Sequence, residues 1–227
     1  FDTVLGESKR GILLVENCKN TGEVVCKSSI LGTGGILGLL SPDHGGIQIR
    51  NCMNTGKISM ESVGRLGGIL GNVDITKKEN ENWIIEGCMN TGTIQYNEGK
   101  QPFTEEAKEK VFGTAKAPED KTISVMGGSC MGGIAGQIYG GSIKNCLTTG
   151  DVLINEDYAG FIGAVCGQVF TVGINSEGKG YIFDCKYPDS YPFAAIIPLE
   201  IEGDQSVQNT YGISKEETEK LVQEYAR

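Results

Sequence analysis

The chain contains an internal repeat of about 35 residues, and a short corner sequence, Asn-Cys-x-Asn-Thr-Gly or a close variant, recurs in it. The cysteines of this corner are Cys18, Cys52, Cys88, Cys146 and Cys185. Their spacing is regular except between Cys88 and Cys146, where about 22 residues are added, and the copy at Cys185 lacks Thr-Gly. A fixed period of this length predicts an architecture in which each unit stacks on its neighbours.

A second block, Gly-Gly-Ile-x-Gly, recurs between the corners. It stands at residues 34–38, 67–71 and 132–136, and in a drifted form at 160–163. Each repeat is therefore predicted to contain a strand, the corner, a second strand, a variable loop and a Gly-Gly-Ile-x-Gly strand. Residues 47–52 alternate apolar and polar side chains as a strand does, and Asn and Gly can supply the positive φ of a sharp corner. Strands repeated in one direction predict a parallel β-solenoid with a spacing of about 4.8 Å.

Composition agrees with a thin-walled stack. Glycine accounts for 34 of the 227 residues and aromatic residues for only 7%, a mixture that would fill a globular core poorly but suits small interiors with tight turns. The alternative is an all-β sandwich with frequent turns. Unrelated sandwich strands, however, have no reason to share one six-residue corner.

The two blocks together resemble the GLUG-motif repeats of bacterial surface and secreted proteins, which include some Gram-positive IgA-cleaving metallopeptidases. The resemblance covers roughly residues 11–187. It implies a bacterial extracellular or cell-surface location and a right-handed parallel β-helix. It carries over no catalytic residue, because those peptidases use a separate zinc domain and His-Glu-x-x-His does not occur here.

The predicted fold is thus all-β, a right-handed parallel β-helix of about five rungs with a helical insertion and a C-terminal capping helix. One domain spans residues 1–227. The repeats are predicted near residues 11–46, 47–82, 83–142, 143–178 and, in degenerate form, 179–212.

Two helices are predicted from local signals. Residues 97–126 interrupt the third repeat, and residues 103–112 within them have helical composition with Thr104 as N-cap. The other helix covers residues 214–227, where Ser214 and Glu217 form a capping box, and it is expected to cover the last rung. Residues 187–198 hold three of the six prolines and are expected to leave the stack.

The five corner cysteines share one repeat position and are predicted to form a ladder of buried thiols. Disulfides within the ladder are an alternative, although parallel Cβ directions do not favour the required dihedral angle. Zinc is disfavoured because stacked ligands form a line and not a tetrahedron. Cys26, Cys130 and Cys166 lie off the ladder and are not paired from sequence.

Two polar ladders are predicted beside the cysteines, with hydrogen bonds running along the stack. One contains Asn17, Asn51 and Asn145 with Asp184, and the other contains Thr21, Thr55, Thr91 and Thr149. An alternative reading of the threonines is a flat array that binds ice or a glycan, but one threonine per repeat makes a thin array.

No catalytic, cofactor-binding or metal-binding residue is predicted. His44 is the only histidine and stands in an evident loop, so a nucleophile would lack its base. Acid catalysis on glycans needs clustered carboxylates. The position after the corner holds Glu23, Lys57, Thr93 and Asp151, and its two acids lie about 14 Å apart.

A formal net charge of −9 disfavours nucleic acid as a partner, and no apolar run is long enough to cross a membrane. The predicted function is a non-catalytic structural or adhesive module of an extracellular or cell-surface protein, with a protein or glycan as partner. The alternative is a carbohydrate-active β-helix that binds or cleaves glycan. Tyr96, Phe103 and Phe112, in or beside the insertion, are the candidate interaction surface.

Overall fold

The computed structural model describes residues 12–27, 31–40, 47–61, 64–73, 83–96, 101–102, 129–154, 160–170, 181–191 and 207–225. The first repeat contains β1 (Leu13–Glu16), β2 (Lys19–Asn20), β3 (Val24–Cys26), β4 (Thr33–Gly34) and β5 (Leu37–Leu40). The second contains β6 (Ile47–Arg50), β7 (Met53–Asn54), β8 (Ile58–Met60), β9 (Arg65–Gly67) and β10 (Leu70–Val73).

The third repeat contains β11 (Trp83–Glu86), β12 (Met89–Asn90), β13 (Ile94–Tyr96), β14 (Gln101–Pro102), β15 (Ser129–Gly132) and β16 (Ala135–Tyr139). The fourth contains β17 (Ser142–Lys144), β18 (Leu147–Thr148), β19 (Val152–Ile154), β20 (Gly160–Gly163) and β21 (Cys166–Phe170). They are followed by β22 (Tyr181–Phe183), β23 (Lys186–Pro188), β24 (Val207–Gln208), β25 (Tyr211–Ile213) and helix α1 (Lys215–Tyr225).

Equivalent strands of successive repeats pair to form five sheets. Sheet A has the order β1-β6-β11-β17-β22-β24, sheet B β2-β7-β12-β18-β23-β25, sheet C β3-β8-β13-β19-β14, sheet D β4-β9-β15-β20 and sheet E β5-β10-β16-β21. These pairings are parallel except for β14, which is antiparallel to β19. The described chain is thus mostly strand in parallel sheets with one short C-terminal helix, and the prediction of an all-β, solenoid-like fold is confirmed at that level.

The register places the same repeat position side by side, which explains the core. Ile49 of β6 lies between Val15 of β1 and Ile85 of β11, and both isoleucines are completely buried. The inward side chains of sheets A and E form one apolar cluster, and those of sheets C and D form a second. Each inward column buries its side chains against similar ones above and below, so aliphatic residues suffice to fill it.

The Gly-Gly-Ile-x-Gly block is not the strand that the sequence analysis predicted. In the second repeat, Gly67 ends β9, Gly68 and Ile69 form a bend, and Leu70 begins β10. The block is therefore the bend that joins sheet D to sheet E, so each full repeat contributes one strand to each of the five sheets, and the third repeat adds β14 to sheet C.

The corner needs one residue with positive φ and one residue without a side chain, and these are different residues. Positive φ occurs at the residue before cysteine, at Asn17, Asn51, Asn145 and Asp184, with Gly87 taking this place in the third repeat. The glycine of Thr-Gly is required instead by close approach of the chains. A Cβ added to Gly56 would lie 2.0 Å from the carbonyl oxygen of Gly22 in the preceding repeat.

Helix α1 lies across the outer face of sheet B, where it covers Ile213 of the last strand, as expected, and also extends over earlier strands. Its side chains Leu221, Val222 and Tyr225 pack with Met89 and Leu147, which face outward from sheet B. The hydroxyl of Tyr225 donates a hydrogen bond of 2.7 Å to the carbonyl oxygen of Asn145. An 11-residue helix is about 16 Å long, enough to reach back across three strands of the sheet.

The end of the chain also differs from expectation. Residues 187 and 188 stay in the stack, because Tyr187 and Pro188 in β23 pair with Gly212 and Ile213 in β25. β24 and β25 add a further pair of strands within the stretch assigned to the degenerate repeat. The helix predicted at residues 103–112 lies outside the described residues.

Candidate functional site

The corner cysteines form a ladder along the interior of the stack. The Cys52 thiol donates to the carbonyl oxygen of Arg50 in its own repeat at 3.3 Å and lies 3.7 Å from that of Val15 in the preceding repeat. The backbone N–H of Cys52 donates to the Cys88 sulfur at 3.4 Å. The same two thiol contacts recur in later repeats at Cys88, Cys146 and Cys185.

All eight cysteines, each within the described part of the chain, are free thiols. Cys52, Cys88, Cys146 and Cys185 are buried as predicted, but Cys18 is exposed because its repeat lies at the edge of the sheets. The hydrogen bond with Cys88 and burial both raise the pKa of Cys52 above its ordinary value. The ladder is therefore a column of free cysteines whose hydrogen bonds join successive repeats.

The second asparagine of the corner forms a ladder that the sequence analysis missed. The Asn20 amide donates to the Asn54 side-chain oxygen at 2.8 Å, and Asn54 donates to Asn90 at 2.7 Å. Asn54 and Asn90 are completely buried, and Thr148 takes this position in the fourth repeat. The signal was present in the sequence, because Asn20, Asn54 and Asn90 recur two residues after the cysteine in the first three corners.

This asparagine ladder connects the two sequence blocks. A Cβ on Gly35 would lie 2.7 Å from the Asn54 amide carbon, and one on Gly68 would lie 2.3 Å from that of Asn90. The second glycine of Gly-Gly-Ile-x-Gly therefore packs directly against the corner asparagine of the following repeat. Contact between the blocks explains why they recur together.

The predicted Asn17 and Thr21 ladders are weaker than expected. Asn17, Asn51 and Asn145 are exposed residues whose main role is their positive φ, and the side-chain bond seen in this column joins Asn209 to Asp184 at 2.6 Å. In the threonine column, the Thr55 hydroxyl donates to the Asn20 carbonyl oxygen at 3.3 Å. Thr21 is exposed, and Thr91 and Thr149 are partly buried.

A polar column lies between sheets D and E. The Arg65 guanidinium donates to the Gln137 side-chain oxygen at 2.7 Å, and the Gln137 amide donates to the Gln168 oxygen at 2.8 Å. The Cys130 thiol donates to the same Gln168 oxygen at 3.2 Å. Gln137 and Gln168 are both buried, so these bonds join the two sheets in the interior of the protein.

Two columns of charged residues run along the outside. In sheet A, Glu16, Arg50, Glu86 and Lys144 are neighbours and alternate in charge. The Arg50 guanidinium lies 3.5 Å from the Glu86 carboxylate. In the column after the corner, the Lys57 ammonium lies 3.3 Å from the Glu23 carboxylate. Because the side chains of both pairs are at least partly open to solvent, each pair contributes about 1 kcal/mol or less.

Within the described residues, no group of three or more His, Cys, Asp or Glu side chains is placed to hold a metal ion. Neither a protein-family model nor a curated protein matches this chain. The interpretation therefore rests on the geometry of the columns.

Of the residues predicted to form an interaction surface, the structure describes Tyr96. Tyr96 was predicted to be part of an interaction surface, but it is buried in the core of sheets C and D. The reason is the alternation of β13, which turns Tyr96 to the same side as the buried Ile94. Phe103, Phe112 and His44 lie outside the described residues.

Thiol reactivity offers a direct check of the ladder. In the native protein under reducing-agent-free conditions, we expect Cys18 and Cys26 to react rapidly with an aromatic disulfide reagent, because the other six are buried. After denaturation all eight should react. Rapid native reaction of Cys52 or Cys88, located by peptide mapping, would contradict the buried column.

Alkaline pH should weaken the fold through Cys130. Burial raises the pKa of this thiol from 9.0 to about 12, with Arg65 lowering it in part. A raised folded-state pKa gives stability that is complete below pH 9 and is lost as the pH rises through 12. Urea unfolding at a series of pH values should show a loss of about 2 kcal/mol between pH 9 and 11 from this thiol alone. Cys130→Ala should show a correspondingly shallower pH dependence.

Proposed function

We propose that the chain is a non-catalytic structural or adhesive module of a bacterial extracellular or cell-surface protein, built as a right-handed parallel β-helix of about five turns. The observation that supports this most is the use of polar side chains in its interior. The asparagine ladder and the polar column between sheets D and E bond repeat to repeat, so they serve the continuity of the stack.

An adhesive role would use the outside of sheet A. Its column of Glu16, Arg50, Glu86 and Lys144 stands on a continuous hydrogen-bonded sheet, so the charges keep a fixed spacing of about 4.8 Å. Such a surface suits a partner with regularly spaced charged groups, in a surface protein or an acidic glycan. The resemblance to GLUG-motif repeats supports the extracellular setting. No helix in the described residues has the length and apolar character to cross a membrane.

The proposal is tested by exposing the purified chain to panels of glycans and bacterial or host surface proteins. We expect binding without turnover, weakened when Arg50→Glu and Lys144→Glu are combined. Glu216→Lys combined with Glu219→Lys on α1 is a control that also alters two charges, on a different face, and should bind as the wild type does. Release of reducing ends from a polysaccharide that is lost in Asp151→Ala would overturn the proposal in favour of a carbohydrate-active enzyme.

A further inference from the structure

The buried thiols of the cysteine ladder lie in one straight column. Each sulfur makes the same two contacts, one to a carbonyl oxygen of its own repeat and one to a carbonyl oxygen of the preceding repeat. Because these contacts recur, successive sulfurs are displaced along the stack by one strand spacing, about 4.8 Å. The members of this column are Cys52, Cys88, Cys146 and Cys185, and each is at most 1% exposed.

The spacing of the sulfurs suits a soft metal ion held by two thiolates in line. Two opposed metal–thiolate bonds, each about 2.3 Å long as for zinc, span about 4.6 Å. Side chains stand roughly perpendicular to a sheet, so an ion on the stacking axis would approach each sulfur from its side. Such an ion needs only two ligands, fewer than the groups of three or more that are absent among the described residues. Thiolates select soft ions such as Cu(I).

Hydrogen bonds favour the pair formed by Cys88 and Cys146. Each of these thiols has a further ladder thiol beside it, Cys52 next to Cys88 and Cys185 next to Cys146. Hydrogen bonds from Cys146 and Cys52 lower the pKa of Cys88, which favours its thiolate. The backbone N–H of Cys52 also donates to the Cys88 sulfur at 3.4 Å. These donors would stabilise the negative charge that two thiolates and one monovalent ion place in the interior.

We propose that the ladder binds one soft, two-coordinate ion of the Cu(I) class between the sulfurs of Cys88 and Cys146. The ion forms one bond to each sulfur, and each of the two thiols that is still protonated releases its proton to solvent. No electron is transferred, so the ion stays monovalent. The flanking thiols of Cys52 and Cys185 stay protonated and donate hydrogen bonds to the two bonded sulfurs. The inference does not depend on the structural or adhesive role proposed above.

The experiment uses the full chain with Cys18→Ser and Cys26→Ser, which removes the two thiols that are not buried. Cu(I) is supplied in the absence of oxygen, and a chromophoric chelator competes with the protein for it. We expect this parent protein to bind one ion per chain. X-ray absorption of the loaded protein should show two sulfur neighbours bonded to copper.

Matched substitutions separate the ladder from other buried thiols. Cys88→Ser and Cys146→Ser keep a small hydrogen-bonding side chain but remove a soft ligand, and each should weaken binding by more than about hundredfold. Cys52→Ala removes only a hydrogen-bond donor and should weaken binding by about tenfold. Cys166→Ser changes an equally buried thiol outside the ladder and should bind as the parent does. Circular dichroism checks that each variant is folded.

Unchanged Cu(I) binding in Cys88→Ser or Cys146→Ser would overturn the proposal, as would a parent that takes no Cu(I) from the chelator. Equal losses in Cys166→Ser and Cys88→Ser would also contradict it, because the ion would then be captured by thiols at large. Three or more neighbours bonded to copper would exclude the two-coordinate site. If Cys88→Ser does not fold, the copper neighbours in the parent and the affinity of Cys52→Ala decide the question.

Discussion

Gly56→Ala is expected to destabilise the protein by more than about 4 kcal/mol, or to prevent folding altogether. The added Cβ would lie 2.0 Å from the Gly22 carbonyl oxygen and 2.7 Å from its carbon, which are backbone atoms that no rotamer change can move. The clash could be relieved only by separating the first two repeats, which would break the backbone bonds between them. Urea denaturation followed by circular dichroism measures the effect.

Gly22→Ala is the matched control, because it changes the same repeat position in the edge repeat. There the new Cβ meets no atom of the described residues within 3.4 Å, so the free energy of unfolding should change by less than about 1 kcal/mol. Gly92 and Gly150 repeat the Gly56 contact at 2.0 Å and should respond as Gly56 does. Similar stabilities for Gly22→Ala and Gly56→Ala would show that the repeats are not this closely stacked.

Asn90→Ala is expected to cost about 3–5 kcal/mol. The completely buried Asn90 amide accepts from Asn54 at 2.7 Å, donates to the Gly92 carbonyl oxygen at 3.1 Å and accepts from the Gly92 N–H at 3.2 Å. Alanine would remove the partner of one Asn54 amide N–H and of the Gly92 carbonyl oxygen, although the Gly92 N–H keeps its bond to the Asn54 carbonyl oxygen at 3.3 Å. The desolvation of these buried groups dominates the loss.

Two further variants separate the hydrogen bonds from simple loss of volume. Asn20→Ala removes the equivalent side chain from the half-buried edge repeat and should cost only about 1 kcal/mol, because water can replace it. Asn90→Thr should fall between wild type and Asn90→Ala, since Thr148 occupies this position naturally in the fourth repeat. If Asn90→Ala were as stable as Asn20→Ala, the buried ladder would contribute little.

Much of the architecture could be predicted because a repeated sequence places equivalent residues side by side. Columns such as Ile49 with Ile85 follow from the register alone. The repeat period does not predict which side chains of a sharp corner point into the interior of the stack. The Asn17 column was therefore given the ladder role that belongs to Asn54 and its neighbours.

The docking place of α1 was missed for a related reason. Local signals around Ser214 correctly predict a helix, but they say nothing about where its apolar side packs. That is decided by the variable position of the corner, where Met53, Met89 and Leu147 project outward from sheet B. The clue in the sequence was that these three residues are apolar at an otherwise variable position of the corner. Their role can be recognised only once the two-residue strands of sheet B are known.

The contact between Gly68 and the Asn90 amide has a consequence for how such a chain can change over evolutionary time. Every junction between full repeats is made by the same few groups: a glycine, an amide or hydroxyl, and a thiol. Duplicating or deleting one whole repeat would therefore create no junction of a new kind. The length of the molecule can vary by recombination within its gene, while each inward-facing position remains under the same constraint.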